Sequence, residues 1–475
     1  MLLKWTRWLT AAFWALLLAA FGYWLTTARE LTAVSVAMGA LCCLLFAFLG
    51  AQGIDAALSS FSGAPETDLE ASLGRRSLRR SVRHPVLRLL LTLLAVRLLV
   101  YVAAYLMLIL QNGPQSGLLE TLSLWLKGDA PHYLGIAERW YVTEGDARFH
   151  IVFFPLYPIV TRLCSVLFGD TFRSGLVVSA VSTAVGGVLL YELALMDMDK
   201  RSALRAVAFS MLLPAAFLYN APMSDGLFFM LTVLTLFFAR KKWYACACAT
   251  GALASFSRVL GVMLLVPVAV ELIGDAARQK RETGRWLSYT WPRALSLLMI
   301  PLGLLAYLFI NKSVTGDAFT FLRYQKEHWS QGMGFFFNTA SYQTNYFLAK
   351  FRADPPAALG LWLPNLAFLF GAPLVMLFAG RKKRALPALA EEGGAAAEQP
   401  YAIRPSYLAY FLAYYAVGMG ATWLLSAPRY LTACFPLSIA LSELTRKRGA
   451  WAWYVLFFAA QAAYLWAYVA GWPVY

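Results

Sequence analysis

The chain has 475 residues, of which 60% are hydrophobic and 14% charged. Soluble domains carry about 25% charged residues, so a water-soluble globular core is excluded. The formal net charge of +16 is spread over short lysine and arginine clusters between apolar runs, a pattern of membrane topology and not of a nucleic-acid surface.

The apolar runs do not alternate as barrel strands would, and most are long enough for helices that cross a hydrocarbon layer. The first, 8–28, follows Lys4 and Arg7 and leads at once into a second, 31–50. It is too long for the core of a cleaved signal, and the pair is read as a retained hairpin. Arg75, Arg76, Arg79, Arg80 and Arg83 set the next loop on the cytoplasmic side, so a span over 89–110 leads outward and 111–150 faces outside. The stretch 151–169 is apolar but holds Pro155 and Pro158. If it crossed, the span 174–196 would deliver Lys200, Arg201 and Arg205 to the wrong side. We therefore expect a juxtamembrane helix over 153–168 at the outer interface, a level that suits Tyr157, Arg162 and the paired phenylalanines.

Spans over 203–219 and 226–239 return the chain to Arg240, Lys241 and Lys242. A tight hairpin, 243–257 and 260–273, ends at Arg278, Lys280, Arg281 and Arg285, and 294–310 exits to a second outer segment, 311–360. Span 361–379 leads to Arg381, Lys382, Lys383 and Arg384, followed by an Ala/Glu/Gly-rich cytoplasmic linker, 385–399, with too few large apolar residues to pack. Three last spans, 407–424, 431–444 and 451–471, with Arg446, Lys447 and Arg448 inside, bring the expected number to thirteen. The chain thus divides into a hairpin with a basic linker (1–84), a membrane core (85–445, with outer segments 111–170 and 311–360 and a linker over 380–405) and a last helix (446–475). Six cysteines lie in or beside apolar runs and read as small buried hydrophobes. No internal repeat is evident, which counts against a secondary transporter.

Chemistry concentrates in the first outer segment, where aromatic residues interleave with polar ones from Trp125 to Pro158. Asp129 has two readings there. Followed by Ala130 and Pro131 it is a helix N-cap; held among apolar neighbours near the lipid headgroups it is a carboxylate with a task, such as general base. Arg258 and Arg429 fall at the outer ends of spans. Each either anchors at the interface or grips a phosphate, and Arg429 runs against the positive-inside bias, which favours function. His132 either orients Asp129, binds a sugar hydroxyl or makes a structural hydrogen bond. Glu138 reads as a solvated helix face. The spacing of Asp129, His132, Asp146 and His150 matches no standard metal motif, so no metal and no other cofactor is expected.

The run Gly128-Asp129-Ala130-Pro131-His132-Tyr133, continued by Ile136, Ala137 and Glu138 and then by Phe153-Phe154-Pro155-Leu156-Tyr157-Pro158, resembles the bacterial relatives of PIG-V. PIG-V is the second mannosyltransferase of glycosylphosphatidylinositol synthesis, within the GT-C superfamily. Three further stretches are similar: Pro222-Met223-Ser224-Asp225, Ser257-Arg258 with Gly261, and Ala427-Pro428-Arg429-Tyr430. Gly316, Asp317, Phe321, Gln325 and Trp329 resemble the family's second outer segment. The likeness runs from 89 to 444 and leaves the N-terminal hairpin as an addition; it departs at Asp225, where the longer Glu is expected.

The resemblance implies an all-α, GT-C-like bundle of about thirteen membrane helices with an outer juxtamembrane helix. It implies an enzyme of the bacterial plasma membrane that passes a sugar, mannose by family, from a polyprenyl-phosphate carrier to a lipid or glycan hydroxyl on the outer face. A lipid-phosphate leaving group needs charge stabilisation and the acceptor hydroxyl needs a base, which suits a single displacement with inversion. Asp129 is the expected base, and Arg258 and Arg429 the expected phosphate ligands. His132, Tyr133, Tyr157, Asp225 and Tyr430 are expected around the substrates, with Asp317 and Gln325 at the acceptor entrance if the second outer segment folds over the first. The rival reading, a lipid or solute transporter or flippase, expects polar groups at mid-membrane in both halves. Here the suggestive groups gather at one face.

Overall fold

The computed structural model describes residues 2–28, 31–61, 83–114, 117–381, 403–445 and 449–474. Arg75, Arg76, Arg79, Arg80, Lys382, Lys383, Arg384, Arg446, Lys447, Arg448 and the linker 385–399 lie outside the described residues. The described part is helical throughout, apart from one isolated bridge between Met333 and Ala421.

In chain order the helices are α1 (Leu2–Thr27), α2 (Ala33–Phe61), α3 (Arg83–Asn112), α4 (Ala130–Arg139), α5 (Leu156–Phe168), α6 (Thr171–Leu195), α7 (Lys200–Leu212), α8 (Asp225–Arg240) and α9 (Tyr244–Ser257). They continue as α10 (Leu265–Glu282), α11 (Trp286–Ser296), α12 (Met299–Thr315), α13 (Thr320–Trp329), α14 (Phe336–Ala353), α15 (Leu363–Ala379), α16 (Pro405–Gly418), α17 (Ala427–Ala433), α18 (Pro436–Leu444) and α19 (Ala450–Val469).

Among the described residues, 8 helical stretches are long and apolar enough to cross a membrane, against the thirteen expected. The difference lies in the stretches expected as spans over 203–219, 226–239, 243–257, 407–424 and 431–444. Their helices α7, α8, α9 and α16 hold 13, 16, 14 and 14 residues, and the last is split into α17 and α18 at Pro436. Proline ends α7 as well: Pro214 cannot continue the helix, and the chain turns into a 3-10 segment at Ala216–Asn220. At least half of the residues in each of these short elements are buried, so their backbone irregularities are covered by protein and not by lipid. The segment 146–168 is not one rod. The 3-10 turn Asp146–Val152 meets α5 at 109°, and Leu163, Val166 and Leu167 on α5 are exposed, as suits a helix lying at a lipid interface.

Charges collect at the two ends of α8. Its 16 residues separate Asp225 from Arg240 by about 22 Å at 1.5 Å per residue. At the Arg240 end, Arg240 Nη1 lies 2.5 Å from Asp197 Oδ2, and Arg404 holds Glu271 with Nε at 2.6 Å and Nη2 at 2.9 Å. Burying these charges singly would be prohibitive, and pairing makes it tolerable. The other end carries the candidate site.

The N-terminal hairpin is joined to the core. Trp24 Nε1 donates to Asn338 Oδ1 at 2.8 Å, and Phe46 packs on Phe336 and Tyr415. It therefore seats α14, part of the expected second outer segment, so this stretch of 311–360 is a packed element.

Candidate active site

Four short motifs, far apart in sequence, meet at the end of α8. Gly128, at φ +60°, turns the chain into α4 in a conformation that side-chain-bearing residues rarely adopt. Asp129 follows at the N-cap position, yet its carboxylate caps nothing. Its Oδ2 lies 2.6 Å from Arg429 Nη2 instead, on a side chain 30% exposed. The helix-cap reading accounts for the position of the residue and not for the direction of its side chain.

Asp225 opens α8, and its side chain is 2% exposed. Its two oxygens accept from Arg429 Nε at 3.0 and 2.9 Å, and Oδ1 also accepts from Arg258 Nη1. The order in space is Asp129, Arg429, Asp225, Arg258: two anions and two cations, formally neutral, with only Asp129 on the open side. The Asp found in place of the expected Glu is thus long enough to hold both guanidinium groups. Tyr430 lies under Arg258, its ring centroid 4.8 Å from the guanidinium carbon, and Tyr414 donates to its carbonyl at 2.9 Å.

The glycines of two motifs have local causes. A Cβ at Gly226 would run into Thr183 Oγ1 and the Ser179 carbonyl, so only glycine lets α8 start this close to α6. A Cβ at Gly261 would strike the backbone of Ala254 and Ser255, so glycine lets the turn after Arg258 fold back on the end of α9.

The most specific motif, Phe153 to Pro158, is a brace. Tyr141 donates to the Phe153 carbonyl at 2.6 Å, Phe154 stacks on Tyr307 at 3.9 Å, and Phe153 packs against His132 and Tyr133. Tyr157 was expected to contact substrate. It is 0% exposed, and its hydroxyl lies 2.8 Å from the Gly175 carbonyl and 2.9 Å from Ser179 Oγ. Its place is in the packing of α5 on α6. Tyr133 is also buried but lies at the site, its hydroxyl 2.8 Å from Ser224 Oγ, the residue before Asp225.

His132 pairs with His150, Nδ1 to Nε2 at 3.0 Å, and stacks on Phe153. Its backbone N–H donates to the Asp129 carbonyl at 3.1 Å, but its ring nitrogen pairs with His150 and not with the Asp129 carboxylate. Burial pushes the His132 imidazole below its usual range, with His328 adding to this and Asp129 opposing it. His150 is lowered to about 4 by burial, helped by His132, Arg139 and His328. The stretch 311–360 does fold over 111–170: Trp329 meets His132 and Phe153, and His328 stacks on Phe149 at 4.4 Å. Asp317 and Gln325 are not the residues that make this contact. Exposed Asp317 accepts from the Phe319 amide at 3.0 Å and serves the turn, while Gln325 donates to Gln331 Oε1 at 2.9 Å. Neither hydrogen bond reaches the charged cluster; Trp329, in the same segment, meets His132. Among the described residues no group of three or more His, Cys, Asp or Glu is placed to hold a metal ion.

The approach to Asp129 is also held from a side the sequence reading did not foresee. Lys127 Nζ donates to the Tyr468 carbonyl at 2.8 Å, near the end of α19, where a cation is favoured by the helix dipole. Trp125, 1% exposed, packs among Tyr101, Phe217 and Tyr468.

Fold and cluster together define a polytopic all-helical membrane protein with a buried charge relay at one end of its bundle. The family model of the dolichyl-phosphate-mannose-protein mannosyltransferases matches residues 154–314, about a third of the chain, a stretch that holds Asp225 and Arg258 but neither Asp129 nor Arg429. No curated protein matches the sequence. Two solved structures are similar: ArnT from Cupriavidus metallidurans bound to undecaprenyl phosphate, and the same protein in the apo state. Each is 16% identical with a TM-score of 0.42; the alignments cover 70% and 71% of this chain and 60% of the other. The chain thus spans about 60% of the length of the structures it matches.

Proposed function

We propose that the chain is a membrane glycosyltransferase that moves a sugar, mannose by its likeness to the PIG-V relatives, from a polyprenyl-phosphate donor to a hydroxyl of a lipid or glycan. The observation that carries the reading is the half-open carboxylate of Asp129 joined through Arg429 to the buried Asp225–Arg258 pair. The match of 154–314 to a mannosyltransferase family supports it. The localisation belongs to the same reading: with the basic clusters taken as cytoplasmic, the site is expected on the outer face of the plasma membrane.

The reaction is a single displacement. The acceptor oxygen forms a bond to the anomeric carbon as the bond from that carbon to the lipid-phosphate oxygen breaks. The hydroxyl proton goes to Asp129, and the released phosphate takes up the bonding electrons. Arginine has five donors. Arg429 spends Nε on Asp225 and Nη2 on Asp129, and Arg258 spends Nη1 on Asp225, so each keeps N–H groups for the phosphate. Asp225 then orients the two guanidiniums instead of contacting sugar, a preorganised arrangement aimed at developing charge. Chemistry of this kind requires neither a redox cofactor nor protonation of the leaving group.

The test uses purified protein in liposomes with labelled polyprenyl-phosphate-mannose and a membrane-lipid extract. The reading expects a labelled lipid or glycan with the anomeric configuration opposite to that of the donor. A product with the donor's configuration, or movement of the donor across the bilayer without any new bond, overturns it.

A further inference from the structure

An arginine in the middle of a membrane helix is expensive and needs a reason. Arg97 lies in the apolar span Pro85–Asn112 and is 1% exposed. Leu93, Arg97, Tyr101 and Ala104 are the buried face of α3, spaced at helical intervals, while Leu98 and Leu99 are exposed. Among the described residues Arg97 bonds a backbone carbonyl and a side-chain amide, no carboxylate, and its Nε and Nη2 have no hydrogen-bond partner. Such a side chain is a poor choice for stability alone, since an apolar residue of similar volume avoids the desolvation cost.

Its one engaged nitrogen shows its use. Arg97 Nη1 donates to the Ala216 carbonyl at 3.0 Å and to Asn220 Oδ1 at 3.2 Å, and Asn220 Nδ2 donates back to the Arg97 carbonyl at 2.7 Å. One turn further on, Tyr101 donates to the Asn220 carbonyl at 2.7 Å. The 3-10 turn Ala216–Asn220 is therefore fastened at both ends to α3. This turn leads directly to Ser224 and Asp225, and Tyr219 within it donates to the Thr432 carbonyl at 3.0 Å, three residues from Arg429. The same Tyr101 ring meets Trp125 edge-on at 5.2 Å, four residues before Asp129, and Trp125 also packs on Phe217 of the turn.

We propose that Arg97, with Tyr101 and Asn220, is a positioning clamp that sets Asp129 and Asp225 against Arg429. It acts through other residues and touches no substrate. The claim rests on the glycosyltransferase reading for its catalytic consequence, and on geometry alone for its structural one. A misplacement of about 1 Å at a reacting group costs up to about 100-fold in rate, so the clamp's removal is expected to appear in turnover.

Three variants test it: Arg97→Lys, which keeps charge but not the fork; Tyr101→Phe, which keeps the ring on Trp125 but loses the hydroxyl; and Arg97→Met. Two readouts are taken on the full-length protein in liposomes. Hydrogen–deuterium exchange is expected to quicken in peptides covering 216–226 and 120–132 while the Arg240 end of α8 stays protected. Turnover per folded molecule is expected to fall about 10- to 100-fold, with acceptor KM within about twofold, and Tyr101→Phe is expected to lose less than either Arg97 variant. Unchanged exchange in both peptides, or loosening spread over the whole bundle, overturns the clamp. Local loosening with unchanged turnover per folded molecule leaves Arg97 structural and overturns the positioning claim. A wild-type protein that makes no glycosidic product contradicts the functional reading instead, and the exchange result is read without it.

Discussion

Arg429 is shared by two carboxylates of unequal burial, and that inequality separates their roles. Asp225, 2% exposed, is the counterion of two nearly buried guanidiniums. Asp225→Asn leaves a buried excess of positive charge, and breaking such a pair typically costs about 3–5 kcal/mol. The variant is expected to melt well below wild type in thermal unfolding of the detergent-solubilised protein. Asp129, 30% exposed, sits on the open side, and Arg429 keeps Asp225 when it is lost. Asp129→Asn is expected to melt close to wild type. A similar drop in both variants would assign Asp129 to structure.

The imidazole pair gives a second residue-scale expectation. His150 is held at about 4 and His132 is lowered from the usual 6.5, both mainly by burial. Between about pH 6.5 and 4 the unfolded chain takes up protons that the folded chain refuses, so stability is full above this window and declines through it. Asp129 opposes the shift of His132, while Arg139 and His328 face the pair from α4 and α13 and add to it. Melting temperature is expected to fall from pH 7 to pH 4.5, and less steeply in His150→Gln. An equal slope in the two proteins would remove the pair as the cause.

At the scale of elements, the site depends on how closely α6, α8 and the turns beside them approach. Gly226 marks the close approach of α8 to α6, and Gly226→Ala is expected to push the start of α8 away from Thr183 and draw Asp225 off its two arginines. The expected outcome is at least tenfold less transfer, about 1.4 kcal/mol in barrier, together with lowered thermal stability. Wild-type transfer by the variant would mean that the contact yields without consequence. The clustering of Asp129, Asp225, Arg258 and Arg429 was legible because each stands in a short motif at the expected outer end of a helix. The role of Tyr157 was not: its motif faces α6, and an aromatic residue with a hydroxyl reads alike in sequence whether it meets a sugar or the Gly175 carbonyl. Asp317 and Gln325 stand in a motif, but Trp329 of the same stretch makes the contact to His132. Arg97 stands as a charge inside the apolar run 89–110, the signal that intramembrane arginines give, with no motif around it to say what it serves.

For the whole molecule, the all-helical membrane architecture follows from composition and run length, while the count of spans does not. Hydropathy sees a continuous apolar stretch from 203 to 219 or from 431 to 444. The chain instead breaks these at Pro214 and Pro436, and protein neighbours cover the breaks. The broken elements carry the site or its supports: Asp225 follows the first break and Arg429 precedes the second. The hairpin α1–α2, set apart by the sequence as an addition, supports α14 through Trp24 and Phe46. The C-terminal helix α19, also set apart, holds Lys127 beside Asp129.

The central claim is that Asp129 takes the acceptor's proton, and a matched transfer assay tests it most directly. Wild type and Asp129→Asn, inserted to equal amounts in liposomes and shown to melt alike, receive labelled polyprenyl-phosphate-mannose and acceptor lipid, and the rate of glycosidic product is measured. Loss of a general base predicts a fall of about 10²- to 10⁴-fold with donor binding retained. Transfer by Asp129→Asn at the wild-type rate would contradict the account.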